Sequence, residues 1–176
     1  MAEMLAEAFP AEWREPALGW EEVCSWEAEH GVVLPEPYRT FIAVVADGSS
    51  LGPPDDGGLL ALDEIPEYWP YGERDAATEF PLTEAWFWET DPRGADATQP
   101  LIEAVYRYGS VVLGANDGPV YWLLIVSGPQ RGRIWLLSDV GAMPFPGPET
   151  AEHGATFAEW IMRWHEDPDT WDMPSA

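Results

Sequence analysis

The chemically capable side chains of this 176-residue chain are few and scattered. Its single thiol, Cys24, would need a neighbouring base to lower its pKa before it could attack a substrate. It stands with Trp20 and Val23 on the apolar side of a helical pattern, which predicts a buried core cysteine. The three histidines, His30, His153 and His165, form no closely spaced pair, and no cysteine set completes a zinc site. His165, beside Glu166-Asp167 near the end of a helical pattern, suits the cation that a helix C-terminus favours. Asp55-Asp56-Gly57-Gly58 resembles half of a calcium loop, but the remaining ligand spacing and the closing Glu are missing, so it reads as an acidic turn. Glu21-Glu22 and Asp63-Glu64 are acid pairs of the kind used in acid–base catalysis, yet among 32 acids such pairs arise by chance. No phosphate loop, dinucleotide fingerprint or serine elbow is present. The expectation is a protein that is not an enzyme and holds no metal and no cofactor.

Aromatic residues are the stronger signal, with 11 Trp in the chain. Trp122, Trp135, Trp160 and Trp164 fall in strongly patterned segments and are expected in the core. Trp69, Tyr71, Trp86 and Trp88 are interleaved with acids and prolines. Aromatics set among charges suit a protein–protein interface, where Trp and Tyr dominate affinity; for any one of them, covering the edge of the core is the somewhat stronger expectation. Residues 53–91 hold eleven acids and one Arg, whereas 104–138 hold three Arg and one Asp. The candidate contact surface is therefore Asp55, Asp56, Asp63, Glu64, Glu67, Trp69, Glu73, Trp86 and Glu89.

Thirty-two acids oppose eight bases, all of them Arg, for a net charge of −24. A magnitude of about 2–8 already keeps a small domain soluble. The lack of Lys is what GC-rich coding would produce, but coding does not explain four acids per base. Two readings stay open: solubility in a salty or acid-rich host, and a field that attracts a basic partner. Nucleic acid and anionic membranes are disfavoured as partners, because both need a basic patch to displace counterions. No apolar run approaches the roughly 20 residues that span a bilayer, and residues 1–7 are acidic where a signal peptide is basic. One cysteine allows no intrachain disulfide. These features predict a cytoplasmic protein.

Residues 1–15 read as a lead-in with a short helix before Pro10. Trp20–His30 reads as an amphipathic helix stopped by Gly31. Tyr38, Phe41, Ile42 and Val45 repeat at i, i+3, i+4 and i+7, a helix opened by Pro35-Glu36-Pro37 and stopped by Asp47-Gly48. Leu59 to Leu62 is a strand candidate, Thr83 to Glu89 a short helix or strand, and Leu101 to Tyr108 a short helix. Val111-Val112-Leu113, then the turn Asn116-Asp117-Gly118, then Val120 to Val126 and Arg133 to Leu137 predict a three-stranded antiparallel meander. Its middle strand is apolar on both faces and should be covered on both. Thr156 and Glu159 form a capping box ahead of Phe157, Trp160, Ile161 and Trp164. The class expected is α+β: a mostly antiparallel sheet with a central meander packed against N-terminal helices and a C-terminal helix.

The series Trp20 to Gly31, Leu34-Pro35, Tyr38-Arg39, Phe41-Ile42 and Asp47-Gly48 resembles the opening of the SUKH superfamily, the Smi/Knr-type domains. Val112-Leu113-Gly114, Asn116-Asp117-Gly118, Tyr121 and Gly132-Arg133-Ile134-Trp135 look like that family's sheet segment. Thr156-Phe157-Ala158-Glu159-Trp160 looks like its terminal helix. The resemblance covers about residues 16–165, with 63–105 matching poorly. It implies a lead-in at 1–15, a single domain at 16–170 carrying a candidate insertion at 63–105, and a tail at 171–176. It also implies an immunity protein that binds and neutralises a bacterial toxin, a basic nuclease or deaminase domain. A non-toxin regulator or scaffold of the same fold and an acidic nucleic-acid mimic are the alternatives. The family supplies no catalytic residues to carry over, and the step from fold to function is analogy.

Overall fold

Residues 121–126 are buried on both sides, and the rest of the molecule is arranged around them. The structure, a computed structural model, describes residues 1–54, 57–116, 119–145 and 154–168. Strands β1 (Ser110–Asn116), β2 (Val120–Ile125), β3 (Ile134–Leu137) and β4 (Ala142–Pro144) form one antiparallel sheet in chain order. This is the expected α+β class, with the meander extended by one strand. β4 is three residues long and carries Pro144, which an edge strand tolerates because it has no ladder donor to lose. Asn116 pairs with Val120 across the predicted turn, whose Asp117-Gly118 lies outside the described residues. The β1–β2 register shifts between Val112 and Gly114, and the Leu113 carbonyl accepts the Leu60 amide at 2.8 Å instead.

Alternation along β2 divides the core in two. Trp122, Leu124 and Val126 face one apolar cluster, and Tyr121, Leu123 and Ile125 face the other. Four helices cover the first face: α1 (Ala2–Ala8), α2 (Trp20–His30), α3 (Tyr38–Val44) and α5 (Phe157–Glu166). α1 packs on α3 and α5, with Leu5 and the following Phe9 fully buried. Arg14 then donates to the carbonyls of Ala6 and Phe9 at the end of α1, where a cation is favoured. Gly31 closes α2 at φ +66°, a left-handed position that glycine takes without a Cβ penalty. The α5 capping box is formed as the sequence predicts.

Cys24 departs from the expectation of a buried thiol: it is exposed. The inward face of α2 is Val23, Trp26 and Glu27, so the helix is rotated away from Trp20 and Cys24. Glu27 is held on that inward face by its partners. Its carboxylate takes the Arg39 guanidinium at 2.7 and 2.9 Å and the Leu34 amide at 2.9 Å. An inward Glu breaks the apolar pattern by which the face was read.

The second face is covered by α4 (Ala95–Arg107) and by residues 57–94, a long segment with little regular structure. α4 begins six residues before the predicted Leu101, passing through Pro100 in its second turn. The Leu59–Leu62 segment is not a strand; Ser49 and Leu59 exchange two hydrogen bonds, Leu60 donates to the Leu113 carbonyl and Leu62 to the Asp47 carboxylate. Around residues 83–89 there is one bridge, Trp86 to Ala142, and a single turn of 3-10 helix at Trp88–Thr90. Gly109, at φ +66° between α4 and β1, lies so close to the Phe80 backbone that a Cβ there would collide with it. No helix among the described residues is long and apolar enough to cross a membrane.

Candidate functional site

The covering segment 57–94 lies over Tyr121, Leu123 and Trp135 by inserting aromatic rings, because it has few backbone ladders of its own. Trp69 meets Tyr106 at 5.2 Å and Tyr121 at 4.9 Å, both edge-on. Trp88 meets Trp86 at 5.3 Å, and Tyr71 meets Tyr106 at 5.1 Å. Trp86 is fixed to the sheet edge by reciprocal backbone bonds with Ala142 at 2.9 Å, and its indole donates to Asp91 at 2.7 Å. The rings that sit among acids in the sequence thus form the margin of the second core, each half-buried.

The acids of the same segment, Asp91 excepted, are exposed. Glu67, Glu73 and Glu89 are exposed, and none of their carboxylates has a salt-bridge partner among the described residues. Asp63 and Glu64 are exposed too but hold structure: Asp63 accepts the Trp26 indole at 2.6 Å, and Glu64 accepts the Ala61 amide at 3.0 Å. Asp63, Glu64 and Glu73 come together around a cavity of about 220 Å³ with His30 and Arg74. Trp86 and Glu89 stand apart from them, where the segment is tied to Ala142 and Val140. Asp55 and Asp56 lie outside the described residues, as does His153.

Arg74 was not singled out by the sequence. Its guanidinium lies over the Trp69 ring at 5.0 Å and donates to the Tyr106 carbonyl and the Ser110 hydroxyl, with no carboxylate partner among the described residues. Burial lowers its pKa to about 10. Asp91, by contrast, is held well below the usual carboxylate range by hydrogen bonds from Arg93 and the Trp86 indole. Asp47 is pushed up by burial, with the charges of Asp63 and Glu64 adding to it.

No protein-family model, curated protein or solved structure matches this chain.

Among the described residues no three His, Cys, Asp or Glu side chains are grouped as a metal ion would require. His30 is stacked on Trp26 at 4.1 Å, and Cys24 has Arg39 at 3.7 Å from its sulfur. What the arrangement offers is recognition chemistry: outward carboxylates and half-buried rings on one layer. Ile65, Tyr68 and Phe87 add exposed apolar surface to that layer. Tyr68 lies next to Trp69 in the sequence, but only its 81% exposure distinguishes it from the packed rings nearby.

Proposed function

We propose that this protein acts by binding a basic protein partner, and that the partner is a toxin domain whose active site or substrate path it occludes. The observation that carries the reading is the layer over the second sheet face, where Glu67, Glu73 and Glu89 are exposed and form no salt bridge among the described residues, and where Ile65, Tyr68 and Phe87 are exposed as well. Such carboxylates accelerate encounter with a cationic surface and reject anionic ones, while apolar side chains supply residence time once docked. The toxin-neutralising role is supported by the sequence resemblance to the SUKH superfamily.

Capture of partners by the tagged protein from its native host, at low and high salt with mass spectrometry, tests the reading. One basic toxin-like protein, weakened by salt, is the expected result. Several unrelated DNA-binding proteins would replace it with an acidic nucleic-acid mimic. A stable non-toxic partner would replace it with a regulator or scaffold.

A further inference from the structure

A cavity of about 360 Å³ opens between the covering segment, α4 and the sheet, walled by Tyr68, Tyr71, Trp88, Tyr106 and Tyr121 with Asp139 at its edge. The polar ends of four of these rings are already engaged. Tyr106 donates to the Ser138 carbonyl at 3.1 Å, and Tyr121 donates to the Tyr68 carbonyl at 3.0 Å. The Trp88 indole donates to the Asp139 carbonyl at 2.6 Å, and the Tyr71 hydroxyl accepts from Gln99 at 2.8 Å. With those groups tied back, the cavity wall is mainly aromatic. The Asp139 side chain is exposed and has neither an ion pair nor a hydrogen bond among the described residues.

Rings with negative faces beside a free carboxylate, in a chain of net charge −24, complement a cation. The protein's own arginines follow the same rule. Arg39 lies over Trp20, Arg74 over Trp69, Arg93 over Trp86, Arg107 over Tyr108 and Arg163 over Phe145, at 5.0 to 5.8 Å. No arginine among the described residues covers Tyr68, Tyr71 or Trp88. A guanidinium suits this place better than an ammonium, because it is planar, stacks on aromatic faces and gives up its hydration more readily.

We propose that this cavity seats an arginine side chain of the basic partner, its guanidinium stacked between the Tyr71 and Trp88 walls and paired with Asp139. The source of that arginine rests on the function proposed above; the binding chemistry of the cavity does not, and it is measured without any partner.

The experiment is a titration of the isolated protein, followed by the Trp88 indole N–H resonance, which a Trp88→Phe variant assigns. The probes are Nα-acetyl-arginine amide, the lysine counterpart and the neutral citrulline counterpart. Saturable shifts at Trp88 with the arginine probe, at least about fivefold stronger than with lysine or citrulline, are expected. Asp139→Asn should weaken the arginine probe by about fivefold and leave citrulline unchanged. Equal response to arginine and citrulline, equal response to arginine and lysine, or shifts that bypass Trp88 would each overturn the assignment. Partner capture that succeeds while this titration fails would remove the cavity and keep the function. The reverse outcome would keep the cavity and remove the source of its arginine.

Discussion

Tyr68 and Trp69 are neighbours in the chain with opposite tasks. Trp69 is wedged between Tyr106, Tyr121 and Arg74, whereas Tyr68 is 81% exposed. Trp69→Ala should lower the unfolding free energy by about 2–3 kcal/mol, and Tyr68→Ala should change it by less than about 0.5 kcal/mol. Urea denaturation of both variants checks this; equal losses would mean that Tyr68 is not presented to solvent. The sequence shows two aromatics among acids and offers no means to tell them apart, because neither lies on a periodic element. Asp63 and Glu64 carry the same lesson for charge. They read as two more acids of a binding patch, yet each accepts a hydrogen bond that fixes its own layer. Glu27 was missed for the opposite reason: a buried acid is invisible to a hydrophobic pattern, and its arginine lies twelve positions away. The hydrogen bond from Arg39, followed by the amide of Leu34, holds the Glu27 carboxyl below its ordinary value. A depressed acid contributes stability above its unfolded pKa and loses it as pH falls through the folded one. Glu27→Gln should therefore destabilise the protein by about 1–3 kcal/mol near neutrality, and the gap to the parent should narrow as pH falls below the ordinary glutamate range. A gap that stays constant over that fall would show that the Glu27 charge contributes nothing.

Among the elements, α3 and α5 are legible because one stripe of each is apolar and their ends carry stop or cap residues. β2 is legible because both alternating sets are large and apolar, and a strand of that kind must be covered twice. The α5 capping box should be worth about 1 kcal/mol, so Thr156→Ala should lower stability by that amount while Thr156→Ser retains most of it. Thermal denaturation of the two variants separates the outcomes, and a neutral Thr156→Ala would mean that the box forms without stabilising α5. Residues 57–94 were not legible. Their order comes from rings seated on the sheet and from single bonds to β1, β4 and α4, which leave no period in the sequence. The sequence shows α4 short because Pro100 signals a boundary, whereas the helix runs through it at the cost of the amide bond to the Asp96 carbonyl and of crowding there.

For the molecule as a whole, the placement of the bases matters more than their number. Arg39, Arg93 and Arg107 pair with Glu27, Asp91 and Glu103. Arg14, Arg74, Arg131 and Arg133 donate to carbonyl or hydroxyl oxygens, and none of these four forms a salt bridge among the described residues. Positive charge is used to tie segments together, so most of the negative charge is left to solvent or to a partner. The sequence exposes this excess at once but cannot say which carboxylates are free. Within the candidate contact surface, the carboxylates of Glu67, Glu73 and Glu89 are exposed and form neither a hydrogen bond nor a salt bridge among the described residues, which makes them a clean place to reverse charge. The most direct measurement is the association rate of the captured partner with the parent and with the Glu67→Lys, Glu73→Lys, Glu89→Lys triple variant, at low and high salt. The account predicts an association rate at least about tenfold slower for the variant at low salt, a shallower salt dependence and an unchanged melting temperature. Association at the parental rate with the parental salt dependence, in a variant that remains folded, would contradict the claim that this acidic layer recruits a basic partner.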